Sequence, residues 1–559
     1  MSRRLLVVVV LALAAVFGFL YWQNYLGGVN RTTVQVSREI KSALKRRDMP
    51  DDAPWRDRRT QSLLRAFYAG RRMRPAWTTG AGPTEQAREL SKALLNADAE
   101  GLNSEDYSAA ELAGHLERNE GTPLVTGDPK ALAEFDMLCT IAAFHYMSDV
   151  FDGRIAPKAL DAAWVANPRK GDLDAMLDGA LKESHVQELL QGLAPSHEGY
   201  RKLRDARAGY AKIVGAGGWN SIPAGGPLKR GSRGPRVAAL RARLAMSGDL
   251  DSTASRGQVF DEALAAAVAR YQTRYGRDAD GVVGEPERAE LNVSAEARLR
   301  QIELNMERWR WLPKTLGDRY LVVNIPEYKF HVIERGNPVL EMRVVVGKAL
   351  NATPVFSDQM TQVVVNPTWN VPASIAGGEI VPELQQDRDY LAKNSMRVFS
   401  GTGDDAQELD AASVNWSDES ETAKLNFRQD AGDQNALGRI KFLFPNQFDV
   451  YLHDTPAGHL FSREERSFSH GCVRVEEPLK LAEYVLRGLP EADPDRINEL
   501  IAAGETKTIQ IPQPLPVHIV YFTAFVEENG TVGFREDVYG IDQDLMAQLR
   551  GRARAQARQ

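Results

Sequence analysis

The hydrophobic period of this chain changes near Pro313, and that change limits what it can build. Upstream, segments such as TQSLLRAFYAGRRM and EQARELSKALLNA place apolar residues at i, i+3 and i+4, which predicts amphipathic helices. Downstream, RYLVVNI, KFHVIE, LEMRVVVG and TQVVVN are β-branched runs separated by turn residues, which predict strands. A helical half therefore precedes a β-rich half. At 559 residues the chain exceeds one hydrophobic core, and at roughly 100–200 residues per domain about three domains are expected. The net charge of −6 argues against a nucleic-acid binder, which would carry a strongly basic domain.

The N-terminus places Arg3 and Arg4 before an apolar run from Leu5 to Trp22. Those 18 residues come close to the ~20 needed to cross a bilayer as a helix. Two arginines before the run and none just after it predict a cytoplasmic start and an exported body, with the segment either kept as an anchor or cleaved as a signal. A mainly helical stretch follows to about residue 225, and the glycine-rich GAGGWNSIPAGG (215–226) closes it. Next, Pro235, Val237, Leu240 and Leu244 suit one helix face, and Phe260, Ala263, Ala267, Val268 and Tyr271 suit a second. Asp280-Gly281 and Gly284 make a turn before a third short helix, Glu285 to Leu291. Leu299, Ile302, Met306 and Trp309 share a face of a further helix that Pro313 ends. Within the β-rich half, a polar, acidic stretch from about Gly377 to Asp433 is too long for a bare loop and predicts an inserted lid. PVHIVYFTAFVEENGTVGFREDVYG predicts a hairpin around Asn529-Gly530, and the basic last dozen residues are expected to fray.

The chemistry concentrates in Tyr451 to Val475, which holds three of nine histidines and one of two cysteines. A nucleophile, a metal ligand and half a disulfide compete as readings of Cys472. Cys139 lies in FDMLCTIAAFHYM, where Met137, Ile141 and Phe144 mark a buried helix, so a bridge to a thiol in a polar loop is awkward. His453, His459, His470 and Cys472 could ligate zinc, but no Cys-x-x-Cys or His-x-x-x-His pair supports them, so no metal is expected. As a nucleophile, Cys472 needs a base to take its proton, and FDVYLHD can deliver His453 at a strand end. Gly471 allows close backbone approach, so that nearby N–H groups could aim at an oxyanion. His470 reads as structural or catalytic.

Two resemblances rest on these residues. Gly231, Gly234-Pro235, Val237, Leu240, Ala267-Val268-x-x-Tyr271-Gln272 and Asp280-Gly281-x-x-Gly284 resemble the common peptidoglycan-binding module. HDTPAGHLFSREERSFSHGCVRV closely resembles the signature of the L,D-transpeptidases, the YkuD-type catalytic domain, with support from NPTWNVPASI (366–375) and RQDAGDQNALGRIKFLFPN (428–446). The layout is similar to that of the large Gram-negative members, which carry a scaffold domain.

The resemblance implies a multidomain α+β protein: an anchor or signal at 1–28, a helical scaffold at 29–225, a three-helix peptidoglycan-binding module at 226–293, a linker helix at 294–317, the β-rich catalytic domain at 318–500 with its lid at about 377–433, and a C-terminal hairpin and basic tail at 501–559. It also implies a two-step acyl transfer without a cofactor. Cys472 is the nucleophile, His453 the base, His470 a site-shaping partner, and Gly471 with Cys472 offer backbone donors. Arg474, Ser469, Asp454, Trp369, Arg428 and Asn435 are the implied substrate-binding residues. The implied partners are peptidoglycan tetrapeptide stems as donor and acceptor, the inner membrane through the N-terminal segment, and cell-wall synthesis proteins; the implied location is the periplasm, and carbapenems are implied acylating agents. Hydrolysis, lipoprotein anchoring, amine exchange and a non-catalytic wall-binding scaffold are the rival readings.

Overall fold

The computed structural model describes residues 31–45, 55–117, 128–160, 164, 169, 171–401, 403 and 406–556. The expected anchor or signal segment lies outside the described residues, and among those described no helix is long and apolar enough to cross a membrane.

The helix Pro129–Phe151 is apolar on nearly every face, so it must be surrounded. Residues 31–45 and the helices Trp55–Gly70, Glu85–Leu95, Ala109–Glu117, Leu173–Glu183 and Val186–Gly192 pack around it in one apolar cluster. Its buried Asp136 carboxylate accepts the N–H groups of Ala76 (3.0 Å), Trp77 (2.7 Å) and Thr78 (2.9 Å) and the Tyr68 hydroxyl (2.7 Å). This holds a small hairpin, β1 (Thr78–Thr79) and β2 (Gly82–Pro83), against the helix. Cys139, one turn further on, is a fully buried free thiol.

Helices Pro235–Met246, Glu262–Arg274 and Glu285–Leu291 form the small module. Gln272 fixes its Asp280-Gly281 turn: the side-chain amide donates to Asp280 Oδ1 (2.7 Å) and to the Val282 carbonyl (2.9 Å), and its oxygen accepts the Gly281 N–H (2.8 Å). The module's core also takes in helix Glu198–Gly215, assigned from sequence to the scaffold, together with the linker helix Ala295–Arg310. Both are amphipathic, and their apolar faces meet the module.

The linker helix is bound to the scaffold through buried charge. Glu307 and Arg310 are both fully buried, and their side chains pair at 2.7 Å. Glu307 also accepts the Ile155 N–H (3.1 Å) and Arg154 Nε (3.2 Å), while Arg310 donates to the Tyr200 hydroxyl (3.1 Å) and the Glu100 carbonyl.

In the β-rich half the strands are β3 (Arg319–Asn324), β4 (Lys329–Glu334), β5 (Asn337–Gly347), β6 (Phe356–Val365), β7 (Trp369–Asn370), β8 (Met396–Ser400), β9 (Gln407–Leu409), β10 (Leu425–Gln429), β11 (Ile440–Leu443), β12 (Leu452–His453), β13 (Ser467–Ser469), β14 (Val473–Val475), β15 (Lys507–Val520), β16 (Ala524–Val526) and β17 (Val532–Phe534). Nine of them run in the order β13-β5-β14-β12-β11-β6-β15-β3-β4, and a further β4–β5 pairing closes the sheet on itself. Ile440, Phe442, Leu452, Val473 and Val475 turn one face to the core, so the residues between them face outward. Gly347 ends β5 where a Cβ would lie 2.1 Å from the Asn351 carbonyl oxygen, so only glycine fits beside that loop.

The C-terminal residues finish this sheet. β15 lies between β6 and β3, antiparallel to the first and parallel to the second. The expected hairpin is β16–β17, with Gly530 at φ 82°, and it packs in the module's core. The tail does not fray where expected. It runs as helix Ile541–Gln556, whose Ile541 and Leu545 enter the sheet's core while Arg552 donates to the Arg154 carbonyl (2.8 Å) and pairs with Asp149 at 2.5 Å.

The long insertion folds as a subdomain. Strands β7-β10-β8-β9 form a four-stranded sheet, and Val371, Ile380, Leu384, Val398, Trp416 and Phe427 form its own core.

Candidate active site

Strand register assembles the site. His453 of β12 lies opposite Lys441 of β11 and Arg474 of β14, and Leu452 lies opposite Val473. Because Leu452 and Val473 face the core, Tyr451, His453, Cys472, Arg474 and Lys441 share the outer face. Above them lies a pocket of about 340 Å³ that Tyr451, His453, Cys472 and Arg474 line from below. The insertion roofs it with Glu379, Tyr390 and Met396, and the segment leading into it adds Trp369, Pro372 and Ile375.

His453 is buried, and its Nδ1–H donates to the Asp454 carbonyl at 2.5 Å, which leaves Nε2 as the acceptor. Burial, the Arg474 charge and, more weakly, the Lys441 charge bring its pKa down to about 3, so the ring is neutral at neutral pH. Cys472 is half-buried and unbridged. Its Sγ–H points to the Asp449 carbonyl at 3.9 Å, and burial pushes the thiol pKa up. Tyr451, through its backbone N–H and its hydroxyl, and the charges of Lys441 and Arg474 act in the opposite sense, toward the thiolate. The thiol and the imidazole that line this pocket therefore both favour their neutral forms, and Tyr451, Lys441 and Arg474 favour the thiolate once it forms.

Other expected site residues take different positions. Ser469 is buried; its hydroxyl donates to the Cys472 carbonyl (2.5 Å) and accepts the Gly471 N–H (3.2 Å). The Gly471 N–H, expected as an oxyanion donor, is thus engaged within the turn. The part Gly471 plays is conformational: φ is 112°, a region that other residues rarely adopt, and its carbonyl accepts from Thr353 Oγ1 at 2.8 Å. His470 reaches away from the row to Glu379 Oε1 at 2.8 Å and so ties the nucleophile's loop to the roof.

Three of the implied binding residues do not line the pocket. Asp454 accepts the N–H groups of Arg439 (2.8 Å) and Thr455 (2.7 Å), which fixes the chain after β12. Asn435 is buried, donates to the Pro367 (3.0 Å) and Asp430 (2.9 Å) carbonyls, and accepts the Leu437 N–H (2.8 Å). It thereby places Leu437, which does line the pocket. The Arg428 guanidinium stacks over Phe399 at 4.6 Å while its strand neighbour Gln429 faces the pocket, as alternation along β10 requires. Trp369, Ser469 and Arg474 do line it. Arg474 forms no ion pair among the described residues, and its Nε is buried without a hydrogen-bond partner. Among the described residues no group of three or more His, Cys, Asp or Glu side chains is placed to hold a metal.

Sequence reasoning missed Tyr451, Lys441 and Glu379. Tyr451 was within reach, because it stands two residues before His453, just ahead of β12. Lys441 and Glu379 carry no local signal: one depends on strand register and the other on the docking of the insertion.

Residues 318–500 match the L,D-transpeptidase catalytic domain of the YkuD type, residues 62–206 a scaffold domain, and residues 233–291 a "Putative peptidoglycan binding domain". The β-rich part of the chain is thus similar to an L,D-transpeptidase catalytic domain. It is 34% identical over 258 residues to a Haemophilus influenzae protein described as "Putative L,D-transpeptidase", a match covering 46% of this chain and 51% of that one. The chain thus spans about half the length of that curated relative. Among solved structures, the L,D-transpeptidase of Stackebrandtia nassauensis is similar at 14% identity and TM-score 0.22 over 54% of this chain and 96% of that one. An L,D-transpeptidase from Mycobacterium smegmatis is similar at 13% identity and TM-score 0.17 over 36% and 58%.

Proposed function

We propose that this protein is a peptidoglycan L,D-transpeptidase that joins two stem peptides through their third-position diamino acids by way of a thioester on Cys472. The observation that carries the reading is the shared outer face of Cys472, His453 and Arg474 under a roofed pocket. Cys472 Sγ attacks the carbonyl between the third residue of a tetrapeptide and its terminal D-Ala. The thiol proton passes to His453 Nε2 and then to the departing amine as the C–N bond breaks. The side-chain amine of a second stem attacks the thioester, gives a proton to Nε2, and expels the thiolate, which takes that proton back. The oxyanion at each step lies within reach of the Cys472 N–H, the backbone donor of that turn not engaged by Ser469. Arg474 suits a carboxylate of the stem, since a half-buried guanidinium without a counter-ion gains strongly from one.

The insertion favours transfer over hydrolysis by excluding bulk water from the thioester. The small helical module brings the enzyme to its polymer, and the apolar N-terminal segment holds it at the outer face of the inner membrane, in the periplasm, near cell-wall synthesis proteins. Incubation with purified tetrapeptide stems followed by mass analysis tests the reaction. Wild-type protein is expected to release D-Ala and form dimers cross-linked between third residues, and Cys472→Ala to form none. Tripeptide alone would make the enzyme a carboxypeptidase, and products formed only with another amine would make it an anchoring or exchange enzyme.

A further inference from the structure

Lys441 has no part in the scheme above, yet it stands in the row that builds the site. It lies directly opposite His453 across the β11–β12 pair, and His453 lies directly opposite Arg474 across β12–β14, so the imidazole sits between two cations in register. The Lys441 ammonium rests over the Tyr451 ring, 3.7 Å from its centroid. A cation at that distance is held by the ring's negative face and needs no carboxylate to stay in place. Among the described residues it forms no ion pair, so its charge is not consumed locally and reaches the sulfur beside the same tyrosine. Burial pulls the ammonium's pKa down, while Cys472 and Asp449 act to raise it.

We propose that Lys441 is a positioning residue for the acyl transfer: clamped on Tyr451, it supplies the fixed positive charge that sets how readily Cys472 gives up its proton. Two effects follow from the one charge. It favours the thiolate, and it repels a proton resting on His453, so the proton moves on to the leaving amine instead of remaining on the ring. The other charged or titratable groups facing this cluster are His453 from β12, Arg474 from β14, Tyr451 and Asp449 from the segment just before β12, and Glu379, Tyr390 and His470 around the roof. Arg474 is the one meant for substrate, so its field falls when a carboxylate docks. Lys441 lies beneath the tyrosine, outside the pocket lining, and its field persists through the cycle.

The role rests on Cys472 being the nucleophile, but its test does not require turnover. Full-length protein is alkylated with iodoacetamide from pH 6 to 10, and modification at Cys472 is read by peptide mass mapping. In Lys441→Met the alkylation midpoint is expected to rise by about one pH unit, so that the rate at pH 8 falls about tenfold, while Lys441→Arg stays within about threefold of wild type by restoring the charge. Lys441→Gln is expected to behave like Lys441→Met, which separates charge from length. A wild-type profile in Lys441→Met, or an equal defect in Lys441→Arg, would overturn the proposal. If the profile shifts as expected and the wild-type protein forms no cross-link, the electrostatic role stands and the transpeptidase reading fails.

Discussion

In His453→Ala, acyl transfer is expected to fall by about 10²–10⁴-fold, the usual worth of a positioned general base. His453 presents a fixed neutral tautomer, Nδ1–H to the Asp454 carbonyl at 2.5 Å, and burial favours the protonated form of the Cys472 thiol, which lines the same pocket. Without Nε2 to receive the proton, the thiol attacks only through its small thiolate fraction. His470→Ala is expected to cost far less, because that ring is engaged with Glu379 at 2.8 Å. Single-turnover acylation rates of the two variants measure the contrast, and equal losses would contradict the assignment. The same residue has a stability signature. Its folded pKa of about 3 lies below the unfolded value of about 6.5, so above about pH 6.5 the two states bind equal protons at this ring. As pH falls from there toward 3, the unfolded chain takes the proton first and the folded state loses stability. His453→Ala lacks this component, so its urea midpoint is expected to drop less between pH 7 and pH 4 than that of wild type.

The second large effect lies far from the chemistry. Glu307→Ala is expected to destabilise the protein by about 3–5 kcal/mol, because it leaves a fully buried guanidinium without its counter-ion. Arg310 and Glu307 are each 0% exposed in their side chains and pair at 2.7 Å, so solvent cannot take over the lost interaction. The substitution also strips an acceptor from the Ile155 N–H and from Arg154 Nε, both on the scaffold side. Urea unfolding followed by tryptophan fluorescence measures the change; a loss under about 1 kcal/mol would mean that water reaches the pair. Acylation of Cys472 below the unfolding transition is expected to be unchanged, since Glu307 lies in the linker helix and not in the pocket lining.

How far the sequence carried the reading depended on whether a signal was local. Cys472 and His453 stand in one contiguous motif, and the fold brings both to the lining of one pocket. The three-helix module was legible because its helix faces and its Asp280-Gly281 turn lie within a few dozen residues, and Gln272 closes that turn from nearby. The place of β15 was not legible: a strand at the C-terminus enters the middle of a sheet begun almost 200 residues earlier, and its apolar alternation names no partner. Arg428, Asn435 and Asp454 show the limit of a motif. Each lies in a segment that builds the site, but alternation turns Arg428 away, and the other two carry backbone hydrogen bonds that place their neighbours. The tail misled for a related reason: a basic composition reads as solvated, yet Arg552 finds the buried Asp149 of the scaffold, a partner some 400 residues away.

The central claim is that Cys472 is the acyl acceptor, and intact-protein mass spectrometry after exposure to a carbapenem tests it most directly. Ring opening by the thiol transfers the whole β-lactam to sulfur, so wild-type protein is expected to gain one equivalent of the drug's mass, mapped to the peptide bearing Cys472. Cys472→Ser is expected to show no adduct, although the fully buried Cys139 remains in it. An adduct that persists in Cys472→Ser, or a wild-type adduct mapped to Cys139, would contradict the account.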